Sequence, residues 1–193
     1  MRKFILIATV SSFLLACSNN GSGKHEGGHE LHDSSTTASR DTSKKSIPSE
    51  TKKWVGNTDI KISYHSPAVR GRTIWGGLVA YDAVWVTGAH KATTIEVGKD
   101  FIVGGKTIPA GKYALFTIPG KEEWTVIINK NWNQHLADDY SESEDVVRIK
   151  VTPKTTDGMT ERLNYEIDQK GERIADIIIS WEKIRLAFGL EVL

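Results

Sequence analysis

From Ile60 onward, apolar side chains recur at every second position. Ile60, Ile62 and Tyr64 alternate with Lys61, Ser63 and His65; Ile95 and Val97 alternate with Thr94 and Glu96; Val147, Ile149 and Val151 alternate with Arg148, Lys150 and Thr152. A period of two puts one set of side chains on a buried face and the other in solvent, so these runs predict half-buried β-strands. Gly104-Gly105-Lys106, Pro109-Ala110-Gly111-Lys112 and Pro119-Gly120-Lys121 punctuate the middle of the chain. They predict a meander joined by tight turns. Towards the end, Leu163, Tyr165 and Ile167 are followed by Ile177, Ile179 and Trp181, and then by Ile184, Leu186, Phe188, Leu190 and Val192. This predicts a long antiparallel hairpin. Between residues 131 and 145 the period changes: Trp132, Leu136 and Tyr140 recur every fourth residue among acidic side chains, predicting a turn or two of helix, or else an ordered loop. About nine strands at roughly 8- to 15-residue spacings predict an all-β fold, an antiparallel β-sandwich.

The first fifty residues follow another pattern. Arg2 and Lys3 precede an unbroken apolar-to-small run over residues 4–16, the layout of a secretory signal peptide and too short to span a bilayer comfortably. The run ends in Leu14-Leu15-Ala16-Cys17, which resembles the bacterial lipobox, in which cleavage before the cysteine leaves an acylated N-terminus. Cys17 is the only cysteine, so no intramolecular disulfide forms and Cys17 alone can carry the lipid. Several acyl chains, each buried methylene adding ~0.8 kcal/mol, would hold the protein on a lipid bilayer. Ser18 rather than aspartate follows the cysteine, which in a Gram-negative cell points to the outer membrane, facing the periplasm. Residues 17–50 are mostly Gly, Ser, Thr, Asn, Lys and His, with too little apolar surface to offset the entropy of ordering, and read as a disordered tether. The expected organisation is therefore a signal peptide over 1–16, a lipidated tether over 17–50 and a β-sandwich domain over 51–193.

Composition agrees with one domain plus an extension. The chain has 193 residues, 39% hydrophobic and 25% charged. Losing Arg2 and Lys3 with the leader takes the formal charge from +1 to about −1, which leaves no basic surplus for nucleic acid.

Candidate chemistry is sparse. His25-Glu26-Gly27-Gly28-His29 formally satisfies H-E-x-x-H, but a zincin needs that motif on a helix, and two glycines occupy its interior. With His32, the same histidines form a tract that can bind Zn²⁺ or Ni²⁺ loosely, or simply keep the tether soluble. The later sequence has no nucleophile elbow, phosphate loop or dinucleotide fingerprint, and no cofactor is expected.

The densest unusual stretch is residues 66–94, SPAVRGRTIWGGLVAYDAVWVTGAHKATT. Arg70, Arg72, Asp82, Trp85, His90 and Lys91 are the candidate ligand-binding residues. Arginines and aromatics on glycine-rich backbone suit a sugar or a small anionic ligand, while Asp82 paired with an arginine and tryptophans capping the sandwich would be purely structural. This stretch, together with GGKTIPAGKYALFTIPGKEEWTVIINK, DYSESEDVVRIKV and WEKIRLAFGL, resembles a family of bacterial exported proteins, domain of unknown function 2911. The resemblance covers residues 52–193 and implies no activity. Val86 stands where the family pattern has arginine, and His90-Lys91 where it has Asn-Glu, so any chemistry those groups carry would be altered here. Three functions stay open. One is a membrane-anchored, non-catalytic binding domain. Another is a hydrolase using Asp82, Asp138 or Asp139 with His90 or His135. The third is a structural envelope protein pairing through a sheet edge.

Overall fold

The computed structural model describes residues 45–193. Ten strands follow one another: β1 (Ile47–Val55), β2 (Thr58–Ser66), β3 (Thr94–Val97), β4 (Phe101–Val103), β5 (Lys106–Ile108), β6 (Gly111–Ile118), β7 (Trp124–Asn129), β8 (Asp145–Val151), β9 (Lys154–Gln169) and β10 (Ile174–Val192). All pairings between them are antiparallel. Six strands form one sheet in the order β1-β2-β3-β6-β7-β8, and four form the other in the order β5-β4-β10-β9. The sheets share one apolar core, to which Ile62, Leu115 and Ile128 contribute from the first and Phe101, Tyr165, Ile177 and Leu190 from the second. The fold is the all-β sandwich that the period of two predicts. The described residues belong to one compact unit, Asp41–Leu193, with a core of its own.

The period of two does not show β1. Residues 47–55 are mostly polar and exposed, because β1 is an edge strand that presents little to the core. It pairs with β2 from Ile47↔Ser66 to Val55↔Thr58, so strand structure begins four residues before Thr51.

The four-residue period at 131–145 does not make the expected turns of α-helix. The segment is an ordered loop with one 3-10 turn, Glu142–Glu144. Leu136 has a left-handed backbone (φ 50°), which ends any helix there. Buried Asn129 organises the loop: its amide donates to Ser141 O (3.0 Å) and Asp145 Oδ1 (2.7 Å), and its carbonyl accepts from the Asn131 amide (2.8 Å).

In β10 the inward side chains change parity. Ile177, Ile179 and Trp181 are buried at odd positions, and Leu186, Phe188, Leu190 and Val192 at even ones. The pairing with β9 shifts register at both steps, Ser180/Glu182 and Glu182/Ile184, with Glu182 at φ 56°. A bulge adds a residue, bends the strand and re-aims the neighbouring side chains.

β6 and β7 are covered on both faces; all six residues of β7 are buried. Leu115, Val126 and Ile128 face the main core, whereas Ala114, Phe116 and Ile127 meet Val86 and Ala92 in a second apolar cluster that includes Ala137 and Tyr140. The connection between β2 and β3 and the loop after β7 therefore lie over the outside of the larger sheet. Burying Phe116 or Ile127 contributes ~1.5–3 kcal/mol each, which is what holds these long loops down.

Candidate functional site

The connection between β2 and β3 is pinned along its length by backbone hydrogen bonds. Val69 N–H donates to Glu161 O (2.8 Å), Asp82 N–H to Pro119 O (2.8 Å), and Trp85 and Thr117 exchange bonds of 2.7 and 3.1 Å. A tight turn brings Leu78 and Val79 back onto Thr73 and Ile74 (3.0 and 2.9 Å), and a Cβ on Gly77 would lie 2.5 Å from the Thr73 carbonyl, so only glycine fits. Gly88 is similarly confined: a Cβ there would lie 2.7 Å from Thr93 Oγ1.

Strain concentrates in this connection. Arg70 (φ 50°), Asp82 (57°), Thr87 (50°) and His90 (65°) all have left-handed backbones, each costing on the order of 1–2 kcal/mol. Such conformations persist only where their surroundings fix them, and they gather at ligand clamps and active sites. At Thr87 the fixing groups are visible. Its carbonyl accepts from the buried Tyr165 hydroxyl (2.7 Å) and Thr93 Oγ1 (3.0 Å), and its hydroxyl meets Thr117 Oγ1 at 3.0 Å. Burial drives the Tyr165 phenol well above its ordinary pKa, so it stays a neutral donor.

Four separated segments enclose a cavity of about 560 Å³. Lys45 and Ser46 come from before β1, residues 67–89 from the strained connection, Leu136, Ala137 and Asp138 from the loop after β7, and Trp181 from the β10 bulge. Trp85 and Trp181 stack with ring centroids 5.7 Å apart and planes 18° from parallel, and Trp75 and Trp124 join them edge-on. The volume falls within the ~300–1,000 Å³ of small-molecule sites.

Three of the six candidate residues, Arg70, Arg72 and Trp85, line this cavity. Arg72 is half-buried, with Nε donating to Val69 O (3.1 Å) and Nη2 to Ala68 O. The Arg70 amide is bound by the Glu161 carboxylate (2.8 Å). Asp82 is exposed and stands apart from the lining; the expected arginine partnership is replaced by a backbone bond to Pro119. Lys91 lines a second cavity of about 460 Å³ with His65, Lys112, Trp132 and Glu50. His90 is exposed, its ring 5.3 Å from that of His65. Burial, then the charges of His90 and Lys91, lower the pKa of His65. Over the second cavity's Trp132, Lys112 Nζ lies 4.2 Å from the ring centroid.

Of the hydrolase candidates, His135 Nδ1 and Asp138 Oδ2 are 2.8 Å apart, both largely exposed, with Asp138 on the wall of the first cavity. The Asp139 amide is spent on Gln134 Oε1 (3.1 Å). Cys17, His25, His29 and His32 lie outside the described residues.

The sequence did not point to Leu78, Leu136, Ala137 or Trp181 as cavity walls. Trp181 had a readable signal, since it is the last residue before the change of parity in β10. Leu136 had none, because its four-residue spacing imitates a helix.

The family described as protein of unknown function (DUF2911) matches residues 46–190. The chain belongs to this family. No curated protein and no solved structure matches it. Val86 is buried, lines the first cavity and belongs to the second apolar cluster. The wall is apolar there.

Proposed function

We propose that this chain is a lipid-anchored protein of the bacterial cell envelope whose sandwich domain binds a small ligand without transforming it. The leader, the lipobox-like Leu14-Leu15-Ala16-Cys17 and the polar segment after it support the anchor, and Ser18 supports the periplasmic face of an outer membrane in a Gram-negative cell. The binding role rests on one observation: a cavity of ligand size whose walls come from four segments, one carrying most of the backbone strain. Its lining is largely apolar and aromatic with a few basic groups, a composition that suits holding a molecule.

The test is a thermal-shift screen of the domain against small sugars and organic anions. A member of the panel should raise the melting temperature, and Leu78→Trp, which narrows the cavity from an exposed rim position, should abolish that rise. A panel without effect, or binding indifferent to Leu78→Trp, contradicts the reading. For the anchor, Cys17→Ser should abolish fatty-acid labelling; undiminished labelling refutes lipidation at this position.

The His135–Asp138 pair favours a second reading, a hydrolase, because one of its members faces the cavity. Turnover of an ester or phosphoester that falls about a hundredfold or more in Asp138→Asn would establish it in place of simple binding.

A further inference from the structure

We infer that the ligand of the first cavity is an amphipathic organic anion: an apolar chain or ring carrying a single carboxylate or phosphate head. The inference rests on the binding role proposed above and narrows its chemistry. Its centre is Arg72. Two neutral backbone carbonyls, of Ala68 and Val69, fix the plane of its guanidinium, and neither offsets its charge. Arg72 makes no ion pair among the described residues. A half-buried cation held in one orientation, with Nη1 still available to donate, is prepared for a carboxylate or phosphate oxygen.

The rest of the lining sets what else the ligand must be. Among the described residues the lining has one acidic side chain, Asp138, which already meets His135 Nδ1 at 2.8 Å, so the charge the lining turns to a ligand is that of Arg72. The site therefore favours an anion. A carbohydrate would need several neutral hydroxyl or amide partners, and among the described residues Ser46 is the only such side chain lining the cavity. Inorganic phosphate would leave the walls formed by Val84, Trp85, Val86, Leu136, Ala137 and Trp181 uncovered. An apolar body against those walls, with its head at Arg72, uses both parts of the site.

The experiment is titration calorimetry on the soluble chain from Asp41 onward, the compact unit with its own core. The probes are octanoate, octyl phosphate, octanamide, inorganic phosphate and glucose. Octanoate or octyl phosphate should bind at least tenfold more tightly than octanamide, and glucose and inorganic phosphate should not bind measurably. Which of the two octyl anions binds better identifies the head. Arg72→Met keeps the aliphatic stem and should erase the preference over octanamide. Leu78→Asp puts a negative charge at an exposed rim position; it should weaken the octyl anions about tenfold while leaving Tm unchanged, so the test survives if Arg72→Met fails to fold. Octanamide binding as tightly as octanoate overturns the anion requirement but leaves the binding cavity standing, as does glucose binding where octanoate does not. Failure of every octyl probe overturns this inference, and failure of the whole sugar and anion panel overturns the binding role as well.

Discussion

Asp82 separates a residue's chemistry from its backbone duty. Its carboxylate is exposed and its left-handed φ of 57° is tolerated because aspartate and asparagine accept that conformation better than most residues. Asp82→Asn should change stability by less than ~0.5 kcal/mol in urea unfolding, whereas Asp82→Val, β-branched in a forbidden region, should cost ~1–2 kcal/mol. A large loss in the asparagine variant would restore the ion pair that the sequence suggests. The sequence placed Arg70, Arg72, Asp82, Trp85, His90 and Lys91 in one cluster because they are neighbours in the chain. The fold divides them, since a connection crossing the outside of a sheet delivers successive residues to different cavities. At His65, burial and the nearby positive charges of His90 and Lys91 lower the folded-state pKa below the ordinary ~6.5, so the folded protein favours the neutral ring. The unfolded chain then binds more protons between the two pKa values. This contribution is fully present above pH ~6.5 and is lost as pH falls below it towards the folded pKa. His65→Gln should reduce the drop in unfolding midpoint between pH 8 and pH 5; an identical drop in both proteins would contradict the assignment.

At the scale of elements, legibility followed burial. β2 and β8 were readable because one face is buried and the other wet. β1 was hidden because an edge strand such as Thr51-Lys52-Lys53-Trp54 has little apolar signal to offer. The parity change in β10 was visible in the sequence, although its consequence, a bulge beside Trp181 that helps build the cavity, depends on pairing with β9. The loop after β7 was misleading for a physical reason: Trp132, Leu136 and Tyr140 share helical spacing but go to separate places. Trp132 lies under Lys112, Leu136 at the first cavity and Tyr140 on Asp145 through a 2.7 Å hydrogen bond. What replaces helical hydrogen bonding is Asn129, an anchor inside β7 that sequence periodicity cannot reveal. Asn129→Ala removes three hydrogen bonds at a buried site and should cost roughly 2–3 kcal/mol. Unchanged stability on urea unfolding would show that the loop is held by its apolar contacts alone.

Across the whole molecule, the sandwich serves as a base, and the candidate chemistry lies where the two long loops that cover β6 and β7 meet the β10 bulge. This division explains why fold class was legible and the site was not. Sheet periodicity is written locally, while the cavity combines residues from Lys45 to Trp181. The six tryptophans provide a direct way to locate ligand binding. Trp85 and Trp181 line the first cavity, Trp132 lines the second, and Trp54 is 64% exposed away from both. In a ¹H–¹⁵N spectrum of the domain titrated with octanoate, the indole N–H signals of Trp85 and Trp181 should shift together and saturably, while those of Trp54 and Trp132 stay in place. Shifts confined to Trp132, or no indole shift at saturating octanoate, would contradict a ligand site between the strained connection and the β10 bulge.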